Sequence, residues 1–303
     1  MMPANTRYHA QLVAMALLWG ANWSWGRIVV QTLPPLTAAA LRFLLAAVPL
    51  TLWLLIREGR GPLRALHMRQ WLGLTAAAAC GICAYAIFFM LALKHVPAGK
   101  AATIVALNPV PSLLLAAWLF KEKLNGGICC GMALAVLGAL TAITRGHPLA
   151  VFAGGVGIGE YLLLTTVLCW TGYALIGRIL LRGISPLTTT TVTVLIGALM
   201  LFALALVFDG DTFWQDVWRI PIPTWGILVA MAVGATMLCY LWYFDGIRHL
   251  GVGTASAYMA LVPVFGIGIA ALWLHEPLHV SLLAGGVMVV SGMLLMNYAG
   301  RRG

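Results

Sequence analysis

Residues 95–140 recur without a gap 154 positions later, at 249–294. His95 falls on His249 and Gly99 on Gly253; Ala106, Leu107, Pro109 and Val110 fall on Ala260, Leu261, Pro263 and Val264. Further along, Glu122 and Leu124 meet Glu276 and Leu278, Gly131 meets Gly285, and Gly138 meets Gly292. Roughly one position in three is identical, well beyond what shared apolar composition produces. Each copy reads as a hydrophobic helix interrupted near its middle by proline, a short loop holding one glutamate, and a second helix studded with glycine. A chain that says this twice is a duplication.

The solvent of that duplication is lipid. Hydrophobic residues make up 62% of the 303 positions and charged ones 9%, where a soluble domain carries about a quarter. Ten apolar segments of about 20 residues are each long enough to cross a ~30 Å hydrocarbon core. They run over 10–31, 36–56, 71–93, 98–120, 125–144, 158–181, 187–208, 224–246, 253–274 and 279–299. The expected class is an all-α membrane protein of ten transmembrane helices, in two inverted five-helix repeats covering 1–150 and 151–303. The connection 209–223, with Trp214 and Trp218 beside Asp211, Gln215 and Asp216, reads as a short helix lying at the water–lipid boundary. The net charge of +10 does not indicate nucleic acid, because lysine and arginine stand singly or in small clusters between apolar runs.

The first segment is too long for the apolar core of a signal peptide, and it has a twin. At an offset of 151, Trp19 falls on Trp170, Gly26-Arg27-Ile28 on Gly177-Arg178-Ile179, and Pro35-Leu36-Thr37 on Pro186-Leu187-Thr188. Basic residues set the orientation. Arg7, Arg57, Arg60, Arg64, Arg69, Lys121, Lys123, Arg178, Arg182, Arg248, Arg301 and Arg302 collect on the side of the amino terminus. The positive-inside bias therefore places both termini in the cytoplasm. Five crossings per half is an odd number, so the second half enters from the opposite face, as in transporters with a site between inverted repeats.

Several patterns have plainer readings than their motifs suggest. His275-Glu276-Pro277-Leu278-His279 satisfies H-E-x-x-H, but Pro277 breaks the helix that would put both histidines on one face, and the twin Lys121–Asn125 has no histidine. Cys80-x-x-Cys83 and Cys129-Cys130 lie at lipid depth among alanine and glycine, where small-residue packing accounts for them. Gly154, Gly155, Gly157 and Gly159 follow no strand and read as a joint between halves rather than a phosphate cradle. No cofactor or metal is called for. Gly127 and Gly131, and Gly285 and Gly292, are positions of close helix approach, either within the chain or in a homodimer. Asp245 and Arg248 have the spacing of a local ion pair.

Substrate contacts are expected where polar or aromatic groups sit on apolar helices. Trp19, Asn22, Trp23 and Gly26 share one face of the first segment, and Trp170, Tyr173 and Gly177 are their counterparts. Tyr85 and Phe89 line the third segment, Tyr240 and Tyr243 the eighth. Asn108, Pro109 and Pro111 mark one helix break, Tyr258, Met259 and Pro263 the other. Proline strips carbonyls of their amide partners, and such carbonyls are expected to face a cavity or polar neighbours. Trp25, Trp53, Trp71 and Trp225 read as interfacial anchors. Arg42, a charge inside the second segment, either reaches out to the headgroups or faces the interior, where it meets a carboxylate.

Trp19-Gly20-x-Asn22, Ala40-Leu41-Arg42-Phe43-Leu44-Leu45-Ala46 and both copies of the Pro…Glu-x-Leu…Gly pattern resemble the drug/metabolite transporter superfamily, in its ten-helix EamA-type branch. The resemblance covers essentially the whole chain. It implies a secondary transporter of a bacterial inner membrane that exports small metabolites by alternating access. Amino acids are the leading substrate class, drugs or aromatic cations the next. The chain departs from internal symmetry at Thr193, which stands where the first half has Arg42. The charge bias yields a topology test. In a background without the six native cysteines, single cysteines near Arg60, Lys123 and Arg302 are expected to resist impermeant thiol reagents in intact cells. Those near Arg145 and Asp211 should react; labelling of both sets would overturn the orientation.

Overall fold

A computed structural model of the chain describes residues 4–121, 124–147, 156–180, 183–250 and 252–300. Glu122, Lys123, Gly154 and Gly155, singled out in the sequence, lie outside the described residues. Every regular element among the described residues is helical: α1 (Ala4–Thr32), α2 (Pro35–Arg57), α3 (Gly61–Arg64), α4 (Met68–Ala77), α5 (Tyr85–His95), α6 (Ala98–Val105), α7 (Pro109–Phe120) and α8 (Gly126–Ile143). The second half holds α9 (Ile158–Leu180), α10 (Pro186–Phe208), α11 (Asp211–Trp218), α12 (Ile222–Val229), α13 (Cys239–Leu250), α14 (Val252–Tyr258), α15 (Leu261–Trp273) and α16 (Val280–Gly300). Taken through their internal breaks, eight helices among the described residues are long and apolar enough to cross a membrane. The 29-residue α1 and the shorter apolar α15 stand beside them. The 209–223 connection holds the short helix α11, with Phe213 buried and Trp218 exposed.

The two halves are distorted at matching places. Between α6 and α7 the chain turns through residues 106–108, and between α14 and α15 through 259–260, as the prolines require. The residues ahead of the two glutamates, Lys121 and His275, both have positive φ, 55° and 54°. A further matched pair carries no proline. Ala78–Ala84 joins α4 to α5 as a π-helical stretch, and Ala230–Leu238 joins α12 to α13 in the same way. In a π-helix the amide reaches back five residues instead of four, which opens the local spiral, and such stretches concentrate at functional sites.

Helices α8 and α16 pack through glycine. A Cβ on Gly131 would come within 2.8 Å of the Gly292 carbonyl oxygen, and one on Gly285 within 2.5 Å of the Gly138 carbonyl oxygen. Gly127 lies equally close to Ala299. The faces offered by sequence to a homodimer through Gly127, Gly131, Gly285 and Gly292 are therefore covered within the chain, because backbones approach this closely only where neither helix carries a side chain. Two further expectations change. Trp25 is core rather than anchor, at 9% exposure. Asp245 and Arg248 are both exposed and form no ion pair, since solvation outweighs the small gain of a surface pair.

Contacts between helix ends tie the halves together. At one end of the bundle the Lys100 ammonium pairs with Glu160 at 2.5 Å, and the Thr37 hydroxyl donates to Asp209 at 2.6 Å. At the other end Ser185 and Thr188 donate to the Glu58 carboxylate, Tyr8 stacks on His249, and the Asn125 amide donates to the Ala299 carbonyl. Overpacking a glycine seam of this kind costs about 1–3 kcal/mol. Gly131→Leu and Gly292→Leu are accordingly expected to lower the thermal stability of the detergent-purified protein, whereas Gly126→Leu, at a glycine with open space beside it, should not.

Candidate substrate site

Eight of the aromatic residues singled out in the sequence meet inside the bundle. Trp19 lies 5.8 Å from Tyr240 and 5.9 Å from Tyr243, ring centre to ring centre. One turn further along α1, Trp23 lies 5.0 Å from Phe89. Phe89 stacks on Tyr85 at 6.1 Å, Tyr85 meets Trp170 at 5.8 Å, and Trp170 meets Tyr173 at 5.6 Å. These offset and edge-on geometries are the favourable ones for aromatic pairs. The helices supply the rings at spacings of three or four residues, and the π-helical stretches and glycines make room for them. Gly81, in the first π-helical stretch, lies so close to the Tyr173 ring that a Cβ would fall 2.3 Å from it. The indole N–H of Trp19 donates to the Ala235 carbonyl, in the second π-helical stretch, at 2.8 Å.

Arg42 stands inside this aromatic group, which settles its direction: it is 6% exposed and does not reach the headgroups. Its guanidinium carbon lies 5.7 Å from the centre of the Phe89 ring and 5.1 Å from that of Phe43. One terminal nitrogen donates to the Thr236 hydroxyl at 3.4 Å, and Nε has no partner. Thr236 in turn donates to the Met231 carbonyl five residues back, the π-helical spacing. Among the described residues the one ion pair is Lys100–Glu160, and Arg42 takes no part in it. Asn22, 8% exposed and one turn from Trp19, holds its side-chain oxygen buried and unpartnered.

The two helix breaks contribute differently from expectation. The carbonyls that the prolines should free are re-paired by tighter turns. Val105 O accepts from the Asn108 amide at 3.0 Å, Leu107 O from the Val110 amide at 2.8 Å, and Asn108 O from the Ser112 hydroxyl at 2.8 Å. What the first break leaves open is the Asn108 side-chain oxygen, buried without a partner. Tyr258 is bonded through its hydroxyl to His9 at 2.7 Å and packs on the same apolar cluster as Trp19 and Tyr243, and Met259 packs among apolar side chains. Sequence reasoning missed Thr236, a lone hydroxyl in an apolar run, and both π-helical stretches.

A model of the EamA-like transporter family matches residues 7–144 and again residues 157–298. The chain belongs to the EamA-like transporter family. The transporter is 28% identical over 287 residues to a Bacillus subtilis (strain 168) protein described as the uncharacterised transporter YyaM, across 94% of this chain and 92% of that one. It is also 28% identical over 295 residues to the "Probable amino-acid metabolite efflux pump" of Escherichia coli (strain K12), across 95% and 93% of the two chains. A solved crystal structure, 20% identical and matched over 98% of both chains, shares the fold at a TM-score of 0.67.

The transporter is a multi-pass membrane protein and not an enzyme, and the geometry of its H-E-x-x-H segment says why that motif misleads. Residues 275–279 are not helical, so His275 and His279 do not share a helix face. The Glu276 carboxylate instead accepts the backbone N–H groups of Ala98 at 2.7 Å and Gly99 at 3.1 Å, capping the start of α6. A carboxylate on a helix N-terminus is stabilised both by those amides and by the helix dipole, together about 0.5–2 kcal/mol. His275→Ala and His279→Ala are expected to leave transport near the parental rate. Glu276→Ala should lower stability, with Glu276→Gln intermediate; zinc-dependent transport abolished by either histidine change would overturn this.

Proposed function

We propose that this EamA-family protein is a ten-crossing secondary transporter of two inverted five-helix repeats, 1–150 and 151–303, which exports small metabolites by alternating access. The ten crossings comprise the eight long apolar helices together with α1 and the broken helix formed by α14 and α15. Both termini face the cytoplasm across a bacterial inner membrane, on the strength of the basic-residue bias. Amino acids are the leading class of substrate, a reading supported by the efflux pumps among the relatives.

The observation that carries the proposal is the origin of the rings. Trp19, Trp23, Tyr85 and Phe89 come from the first repeat, Trp170, Tyr173, Tyr240 and Tyr243 from the second. A site built from both repeats changes its exposure when one rocks against the other, which is what alternating access requires. An amino acid entering it loses hydration from both charged groups. The ring faces and the unpartnered Asn22 and Asn108 oxygens replace part of the hydration that an ammonium loses there.

The test is flux into proteoliposomes with radiolabelled amino acids and aromatic amines. Saturable uptake with counterflow is expected, and flux that never saturates would favour a pore. Trp19→Ala, Trp170→Ala and Tyr85→Ala should each reduce transport by about tenfold or more, from the loss of ring contacts worth about 0.5–1.5 kcal/mol each and of the cavity walls. Trp53→Ala and Trp225→Ala should change it much less. Parental rates in all five would sink the cavity assignment.

A further inference from the structure

Arg42 is a full positive charge with no carboxylate paired to it among the described residues. Its guanidinium is buried, its Nε has no partner, and its one hydrogen bond is a long one to a neutral hydroxyl, Thr236. Tyr85, Tyr240 and Cys239 are the other titratable groups close enough to feel the charge, and all three are neutral at physiological pH. Four of the described carboxylates are held at helix ends, Glu58 by Ser185 and Thr188, Glu160 by Lys100, Asp209 by Thr37 and Glu276 by the start of α6, while Asp211 and Asp216 lie on α11 and Asp245 is exposed. Buried charges in proteins are paired, because an unpaired one keeps the full penalty of its desolvation. A guanidinium also presents its donors as a planar fork that matches a carboxylate in two parallel hydrogen bonds.

We infer that Arg42 is the substrate's carboxylate site: the missing counter-charge arrives with the cargo, and the transporter recognises aromatic or apolar organic carboxylates, with the ammonium of an amino acid dispensable. This rests on the proposed transport function and narrows it. The carboxylate takes the free Nε and the terminal nitrogen now on Thr236, while the hydrocarbon part of the substrate lies against Phe89, Tyr85 and Trp19. An ammonium finds neutral acceptors and ring faces in the site but no anion, so it adds little to binding. A cation without a carboxylate meets the repulsion of Arg42 at short range. Thr236 is a positioning residue: its hydroxyl, held to the π-helical turn by Met231, keeps the guanidinium aimed inward until the carboxylate replaces it.

Four probes that share one ring separate the contributions: phenylalanine, 3-phenylpropanoate, phenylalanine methyl ester and phenethylamine. Binding is read from the tryptophan emission of the purified protein, and flux from proteoliposomes. The expected order has 3-phenylpropanoate at least as tight as phenylalanine, with the ester and the amine weaker by about tenfold or more. Arg42→Lys should weaken both carboxylates by about tenfold, and Arg42→Gln should abolish the preference for them. Thr236→Val should weaken carboxylates without touching the amine, and Thr236→Ser should restore them. The empty protein supplies a second readout. If Arg42 awaits an anion, Arg42→Gln is at least as heat-stable as the parent without ligand, whereas a structural strut would leave the variant less stable. Ester or amine binding equal to that of the carboxylates, or a destabilised Arg42→Gln that still prefers carboxylates, overturns the assignment. Carboxylate binding without saturable flux would instead count against the transport reading and leave the site standing.

Discussion

In hydrocarbon an amide or carbonyl without a partner costs several kcal/mol, and water is not there to relieve it. Each irregularity in this bundle is shaped by that cost. Where proline removes an amide from α7, the neighbouring amides shift to carbonyls three residues back. Where the spiral widens at Ala230–Leu238, the Ala235 carbonyl receives the Trp19 indole and the Met231 carbonyl receives the Thr236 hydroxyl. The Trp19–Ala235 bond puts a carbonyl of the second repeat against a side chain of the first. The departures from regular helix that a membrane should discourage are thus places where side chains of the rings and of Arg42 find their polar partners.

Much of this was legible in the sequence, for identifiable reasons. Proline lacks an N–H whatever surrounds it, so Pro109 and Pro263 announce their breaks. Trp19, Trp23 and Gly26 share a helix face by spacing alone, and eight ring residues chosen that way do converge. The π-helical stretches were not legible, because Ala78–Ala84 and Ala230–Leu238 consist of residues equally at home in an ordinary helix. Nor was the fate of the Pro109 carbonyls, since the sequence states which bond is lost but not which replaces it. The direction of Arg42 depended on the helices beside α2, among them the one bearing Thr236, 194 residues away.

The site region is asymmetric although the scaffold is not. Positive φ at Lys121 and His275, paired breaks and paired π-helical stretches follow the repeat. Arg42 does not: its counterpart Thr193 satisfies its hydroxyl on carbonyls of its own helix. Duplication supplied rings from both halves, and one unmatched side chain places a positive charge among them.

The cap that Glu276 places on α6 joins residues 178 positions apart. A ribosome adding about 5–20 residues per second needs roughly 10–35 s to cover that distance. During this interval the start of α6 has already emerged while its carboxylate has not been made. The first repeat is therefore inserted with two amides at a helix start whose acceptor is still to come, and they must rely on water or headgroups at the membrane surface. Completion of α15 and the segment after it brings the acceptor and removes that solvation. Maturation of the first repeat in the membrane is in this way timed by synthesis of the second.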